Sequence, residues 1–410
     1  MVDRLECTVM PYAWGSRTAI AQLLGKPSPA PGPEAELWMG AHPLASSRLA
    51  RAGATTSLLD AITQAPEREL GDASSTAFGA RLPFLLKVLA ADTPLSLQAH
   101  PTAEQARAGF DDEDRRGIAR DAATRNYKDP AHKPELLCAL TPFDALCGFR
   151  SAARTIALFD ELAVAELEPI LAPLRSAPGK DGLRETFRRI MTLSEADRPR
   201  IVGATVAACA AHRGEFAKEC DWAGRLAKLY PGDAGILGAL LLNLVHLDPG
   251  EGIYLDAGNL HAYLGGVGIE IMASSDNVLR GGLTPKHVDV PELVRVLDFA
   301  DGPVAPLRAR AIDLDEETWE TPAKEFRLSR IHVASRAVER TVRGPEILLC
   351  VEGAATVKPR QGAEARAAKG DAIFVPASAQ GYVLDVMEAA RPIERQSERA
   401  TFYRATVNLP

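Results

Sequence analysis

A chain of 410 residues, 46% hydrophobic and 25% charged, has room for about two or three packed domains. Its net charge of -7 excludes the basic surface that non-specific nucleic-acid binding needs, while leaving room for a small anionic substrate at a local positive site. Six scattered cysteines without a CxxC pair fit reduced thiols in a cytoplasmic protein, and the opening MVDRLECTVMPYAWG carries charges where a secretion signal needs an apolar core.

Residues 1–150 alternate short apolar runs, such as RLPFLLKVLA and TPLSLQA, with Pro, Gly and Asp, a β-rich texture with some helix. Residues 151–240 change to Ala, Leu, Arg and Glu with apolar residues at helical spacing, and Ser194 in LSEADRPR is an expected helix cap. The apolar run GILGALLLNLVHL from Gly235 is too short to span a bilayer and contains Asn243 and His246, so no membrane association is expected. β texture returns over 241–318, in EGIYLDAGNLHAYL and GIEIMASSD. The segment 319–410, with PEILLCVEGAATVKP and KGDAIFVPASAQGYVL, reads as a small antiparallel jelly roll. The whole predicts a mainly β protein: two related β-modules, the first split by a helical insert, with boundaries 1–150, 151–240, 241–318 and 319–410. The last module carries no His-x-His or equivalent ligand set, so no second metal is expected there.

LSLQAHP, from Leu95 to Pro101, places Ser96, Gln98 and His100 on one face of an extended segment. A polar row of this kind is often only a solvated strand face. NYKDPAHKPE then supplies His132, Lys133 and Glu135, with prolines to stiffen it, and His261 follows a glycine turn at the end of a strand. Of the eight histidines, five lie in four motif-like stretches: His42, His100, His132, His261 and His287. Gln98, His100, Glu135 and His261 together offer one amide oxygen, one carboxylate and two imidazoles, a donor set suited to one zinc ion per chain. With one carboxylate among its ligands the zinc keeps a net positive charge and remains electrophilic. A GxxxxGK[ST] loop is absent and GGVG at Gly265 is an incomplete GxGxxG, so nucleotide chemistry is not expected.

PYAWGS, AELWMGAHP from Ala35, PFLLKVL, LSLQAHP, NYKDPAHKPE and GIEIMASSDNVLRGGLTPKHVDVPEL occur in one order along the chain. In these stretches the sequence resembles the type I mannose-6-phosphate isomerases. The resemblance implies a fold of cupin-like jelly rolls with a helical domain. It also implies a zinc-dependent aldose–ketose isomerase acting on mannose 6-phosphate and fructose 6-phosphate, and the ligands Gln98, His100, Glu135 and His261. After QAHP the family often has Asn or Asp and then Lys, whereas TAEQA stands here.

For proton transfer through a cis-enediol, the residues leave several candidates open. Arg280 is expected to stabilise the enediolate. His132 and Lys133 are candidates for ring opening and proton transfer. Glu270 and Asp276 are rivals for the acid/base role, and burial in GIEIM would raise Glu270 into a useful range. The resemblance implies a phosphate site at Ser96, Lys87 and Lys286, while Trp14, Glu36, Trp38 and Tyr263 are expected to line the pocket. A monomer with a small sugar-phosphate substrate is the expected state. The alternative is a sugar-phosphate sensor on the same fold that binds without turnover.

Overall fold

The strand Phe84–Ala91 is buried on both faces along its whole length, and this double burial explains how the chain is arranged. In the computed structural model, which describes residues 1–51, 53–386 and 399–409, the side chains of this strand alternate between two environments. Leu85, Lys87 and Leu89 turn inward and line a cleft. Phe84, Leu86 and Val88 turn outward onto Trp319, Phe326, Leu349 and Tyr403 of the last module. The outer face of the first β-module is thus closed by the second.

Phe84–Ala91 pairs antiparallel with Glu36–Met39 on one side and with the long strand His261–Ala273 on the other. The second half of His261–Ala273 pairs with Glu135–Ala139, and its first half with Phe143–Phe149 and Gln98–Ala99. An eleven-stranded system results, wrapped around the cleft. A bulge between Tyr263 and Gly265 shifts the alternation of the long strand by one. Odd-numbered His261 and Tyr263 and even-numbered Glu270 therefore all face inward. Gly266 sits in this bend with φ +125°, and a Cβ there would lie 2.6 Å from the Phe143 ring. GGVG serves this bend.

The helical segment comprises Ala152–Leu162, Glu168–Ser176, Lys180–Met191, Asp197–Ala211 and Ala217–Leu229. These helices bury Leu158, Phe187, Ile201 and Leu226 in one core. Ser194, expected as the cap, lies two residues before the N-cap Ala196 of Asp197–Ala211, and its Oγ accepts from the Asp197 N–H at 3.1 Å in the turn leading into the helix. GILGALLLNLVHL divides into the buried helix Gly235–Ala239 and the strand Leu242–Leu247. Among the described residues no helix is long and apolar enough to cross a membrane.

The last module packs a seven-stranded sheet against a four-stranded one, the two layers of a jelly roll. Its first strand comes from the other end of the chain: Asp3–Leu5 pairs with Ala372–Val375. The buried charges of this module are matched internally. Arg404 binds both Glu346 and Glu316, Arg340 binds Glu316, and the Tyr382 hydroxyl donates to Glu346. The sheets of the two modules together match the cupin-like jelly-roll expectation, with the helices set to one side.

TAEQA after QAHP also has a structural use. Thr102 accepts from the Gln105 N–H and Gln105 returns a bond to the Thr102 N–H, a capping box that starts the helix Ala103–Arg115. Ile271 is fully buried between the modules. Ile271→Ala should lower stability by about 2–5 kcal/mol, read as a fall in the urea midpoint with unchanged slope.

Candidate active site

The cleft has a volume of about 560 Å³. Its wall is built from cross-strand neighbours, which share a face. Gln98 lies directly between His261 on one side and Arg280 on the other. Trp38, Lys87 and Glu270 likewise face one another across three strands.

At its inner end, ligand atoms of His100, Glu135 and His261 lie within 4.8 Å of one another, all three buried. His100 Nε2 is 3.4 Å from Glu135 Oε1, and His261 Nε2 is 3.6 Å from Glu135 Oε2. Each ring is oriented through its other nitrogen: His100 Nδ1 is 2.7 Å from the Asn277 carbonyl, and His261 Nδ1 is 3.0 Å from the Asn259 carbonyl. A carbonyl accepts, so each Nδ1 carries the proton and each Nε2 presents a lone pair. Neither Nε2 has a hydrogen-bond partner among the described residues. Two orphaned lone pairs aimed at one buried carboxylate fit a divalent cation, and Gln98 stands in register beside His261. Burial, and the neighbouring His100, push the His261 imidazole down to about 4, so it is neutral near pH 7. Burial raises the Glu135 carboxyl, but the Lys133 ammonium, 3.0 Å away, and the two histidines outweigh it and hold the carboxyl well below its ordinary value.

A second charged group forms the floor. Lys87 Nζ is 2.9 Å from Glu270 and 3.5 Å from Glu36. The Trp38 indole N–H donates to Glu36 at 2.7 Å, and the Lys87 ammonium lies 5.4 Å over the Trp38 ring. Burial opposes the lysine charge, yet Glu270, Glu36 and Glu135 together keep it protonated. Burial raises Glu270; Lys87 lowers it, but Glu135 and Glu36 add repulsion, and the carboxyl stays above its ordinary range.

The mouth differs. Asp276 is half exposed and pairs with His42 at 3.2 Å, and this bond, with burial opposing it, holds the carboxyl below its ordinary value. Arg280 is half-buried, burial depresses its pKa, and it forms no ion pair among the described residues. Ser96, Lys286, Trp14 and Tyr263 complete the lining that was expected. Tyr12, Leu44, Thr284 and Tyr230 line it as well.

Comparison with known proteins gives the family. Residues 2–152 match the family described as phosphomannose isomerase type I, catalytic domain. The chain is 41% identical to mannose-6-phosphate isomerase of Escherichia coli K12 over 360 residues, covering 87% of this chain and 90% of that one. The chain belongs to the type I phosphomannose isomerase family. It is also 32% identical to the mannose-6-phosphate isomerase of Rattus norvegicus over 404 residues, covering 91% of this chain and 93% of that one. A crystal structure of the Salmonella typhimurium mannose 6-phosphate isomerase, bound to fructose 6-phosphate and zinc, aligns over 100% of both chains with a TM-score of 0.89 and 36% identity.

Within this family member one expectation needs revision. His132 does not reach the cleft. Its Nε2 is 2.7 Å from Glu325 of the last module, while the next residue, Lys133, turns inward. Neighbours along an extended segment point to opposite sides, so one residue ties the modules together and the other serves the cleft. Lys87 lines the cleft but is held by two carboxylates, unlike the unpaired Arg280 and the exposed Lys286. Sequence reasoning missed Asn259 and Asn277, whose carbonyls orient the histidines. Their signal was adjacency: Asn259 stands two residues before His261, and Asn277 three before Arg280.

The bond to Glu325 raises the His132 pKa, with burial opposing. The pair therefore stabilises the fold fully below the ordinary imidazole value of about 6.5, and the benefit fades as pH rises through the raised value. Glu325→Gln should bring the His132 titration midpoint down toward that ordinary value, as read by NMR of the imidazole. An unmoved midpoint would contradict the pairing.

Proposed function

We propose that this chain interconverts mannose 6-phosphate and fructose 6-phosphate, with the chemistry at the inner end of the cleft. The observation that carries the reading is the pair of buried, partnerless Nε2 atoms facing Glu135, beside a floor that holds a raised carboxyl. The two sugars are isomers. In the open chain the C2 hydrogen moves to C1 and the O2 hydrogen moves to O1, with no other reactant.

One zinc ion, held by Gln98, His100, Glu135 and His261, would supply electrophilic polarisation of the substrate oxygens. The chain's own groups do the rest. Glu270 takes the C2 proton and returns it to C1, because its raised pKa brings it closer to neutral pH, whereas Asp276 is shifted the other way. Lys87 holds the Glu270 carboxylate in place at 2.9 Å. Arg280, unpaired and in register with Gln98, presents a permanent planar charge to the two enediolate oxygens. Lys133 donates to the ring oxygen as the sugar opens. Ser96 and Lys286, toward the mouth, take the phosphate, and Trp14, Trp38 and Tyr263 flank the sugar.

We further infer a cytoplasmic monomer. The compartment is supported by the six free cysteines, none of them paired in a disulfide.

A coupled assay of mannose 6-phosphate turnover tests the reading on native, chelator-stripped and zinc-restored protein. Activity should vanish on stripping and return with zinc. Folded, zinc-loaded protein that binds the sugar phosphate without turning it over would instead be a sensor. Arg280→Lys should lower kcat by about 10²-fold or more, with KM changing less, because it keeps the charge but loses the planar two-oxygen geometry.

A further inference from the structure

Asn277 lies in SSDNVLRGG, between the strands His261–Ala273 and Leu279–Arg280, and is fully buried. All of its polar groups are used. Its side-chain oxygen accepts from the Lys128 N–H at 2.7 Å and the Asp129 N–H at 3.2 Å. Its side-chain nitrogen donates to the Asp129 carbonyl at 2.7 Å and the Ala131 carbonyl at 2.8 Å. Its own carbonyl accepts from His100 Nδ1 at 2.7 Å.

Asp129 answers from the other side. Its carboxylate accepts from the Ser275 hydroxyl at 2.9 and 3.1 Å and from the Asp276 N–H at 2.8 Å. Each loop thus binds the backbone of the other through one side chain. The first loop runs on to Lys133 and Glu135, the second to Arg280. Between them they lead to three of the groups the reaction uses: Lys133, Glu135 and Arg280.

We infer that Asn277 is a positioning residue. It holds the two loops at a fixed separation and points Nε2 of His100 at the metal position. The chemistry demands an amide of this length. Two backbone N–H groups need an acceptor and two carbonyls need donors, and among short side chains asparagine supplies both. An aspartate at 277 would set a carboxylate against the carbonyls of Asp129 and Ala131. An alanine would leave those groups buried and unpaired.

The inference rests on the zinc-isomerase reading, and the experiment keeps the two apart. Full-length wild type, Asn277→Asp, Asn277→Ala and Asp129→Asn are each measured for zinc affinity by competition with a chromophoric chelator, for kcat and KM, and for the melting temperature of stripped protein. Leu348→Ala, in the last module's own core and outside the cleft lining, serves as the control for a purely structural loss. Loss of second-sphere support lowers metal affinity by about 10–100-fold. The Asn277 variants should lose zinc affinity within that range and lose kcat more than they raise KM. The control should keep zinc affinity within about twofold of wild type at a comparable fall in melting temperature. If either Asn277 variant fails to fold, Asp129→Asn, which breaks the same clamp from the partner side, should show the same loss. Folded variants with wild-type zinc affinity and kcat would overturn the inference and leave the zinc reading standing. A loss in the control equal to that in the variants would also overturn it. Wild type that binds no zinc would remove both.

Discussion

Glu135 holds its carboxylate inside a β-sheet, facing two imidazole nitrogens that have no other partner among the described residues. A buried charge is costly unless it is paired, and removing one member of such a group costs about 3–5 kcal/mol. Much of the surrounding structure meets that demand. Lys133 stands 3.0 Å from the carboxylate, and carbonyls from Asn277 and Asn259 fix both rings. Lys87 balances the further acids, Glu270 and Glu36. Four carboxylates and four cations line the cleft: Glu36, Glu135, Glu270 and Asp276 against Lys87, Lys133, Arg280 and Lys286. A bound divalent cation therefore tips a balanced cleft to positive, which suits an anionic sugar phosphate.

Holding these groups in place requires a sheet that cannot flex. The outer face of Phe84–Ala91 is covered by the last module, and Leu97, Leu260 and Leu279 pack against the core of the helical segment. The helices and the second jelly roll thus act as backing for one cleft. The second jelly roll also shows a different way to fill its interior. Its buried acids Glu316 and Glu346 are neutralised by Arg340 and Arg404.

The three textures of the chain, β then α then β, were legible because the period of apolar residues changes with the element. The cluster of His100, Glu135 and His261 was legible because metal-ligating side-chain types are few and these lie in short motif-like stretches. LSLQAHP was only half so. Gln98–Ala99 alone forms a ladder, and Leu95 lines the cleft, because the segment bonds irregularly to Gly282 and to Tyr263. Contacts between distant residues left no mark in the sequence. His132 and Glu325 are 193 positions apart, and nothing in NYKDPAHKPE distinguishes a histidine facing the cleft from one facing the neighbouring module. The membership of Asp3–Leu5 in the last module's sheet is likewise a property of the folded chain. The capping box at Thr102 was readable from T-x-x-Q.

The most direct test of the metal-centred account is a crystal structure with diffraction measured on both sides of the zinc absorption edge, with fructose 6-phosphate present. The account predicts one anomalous peak per chain, bonded to Gln98, His100, Glu135 and His261, with the sugar between it and Arg280. A peak elsewhere, or a metal at the histidines with the sugar bound outside the cleft, would contradict it.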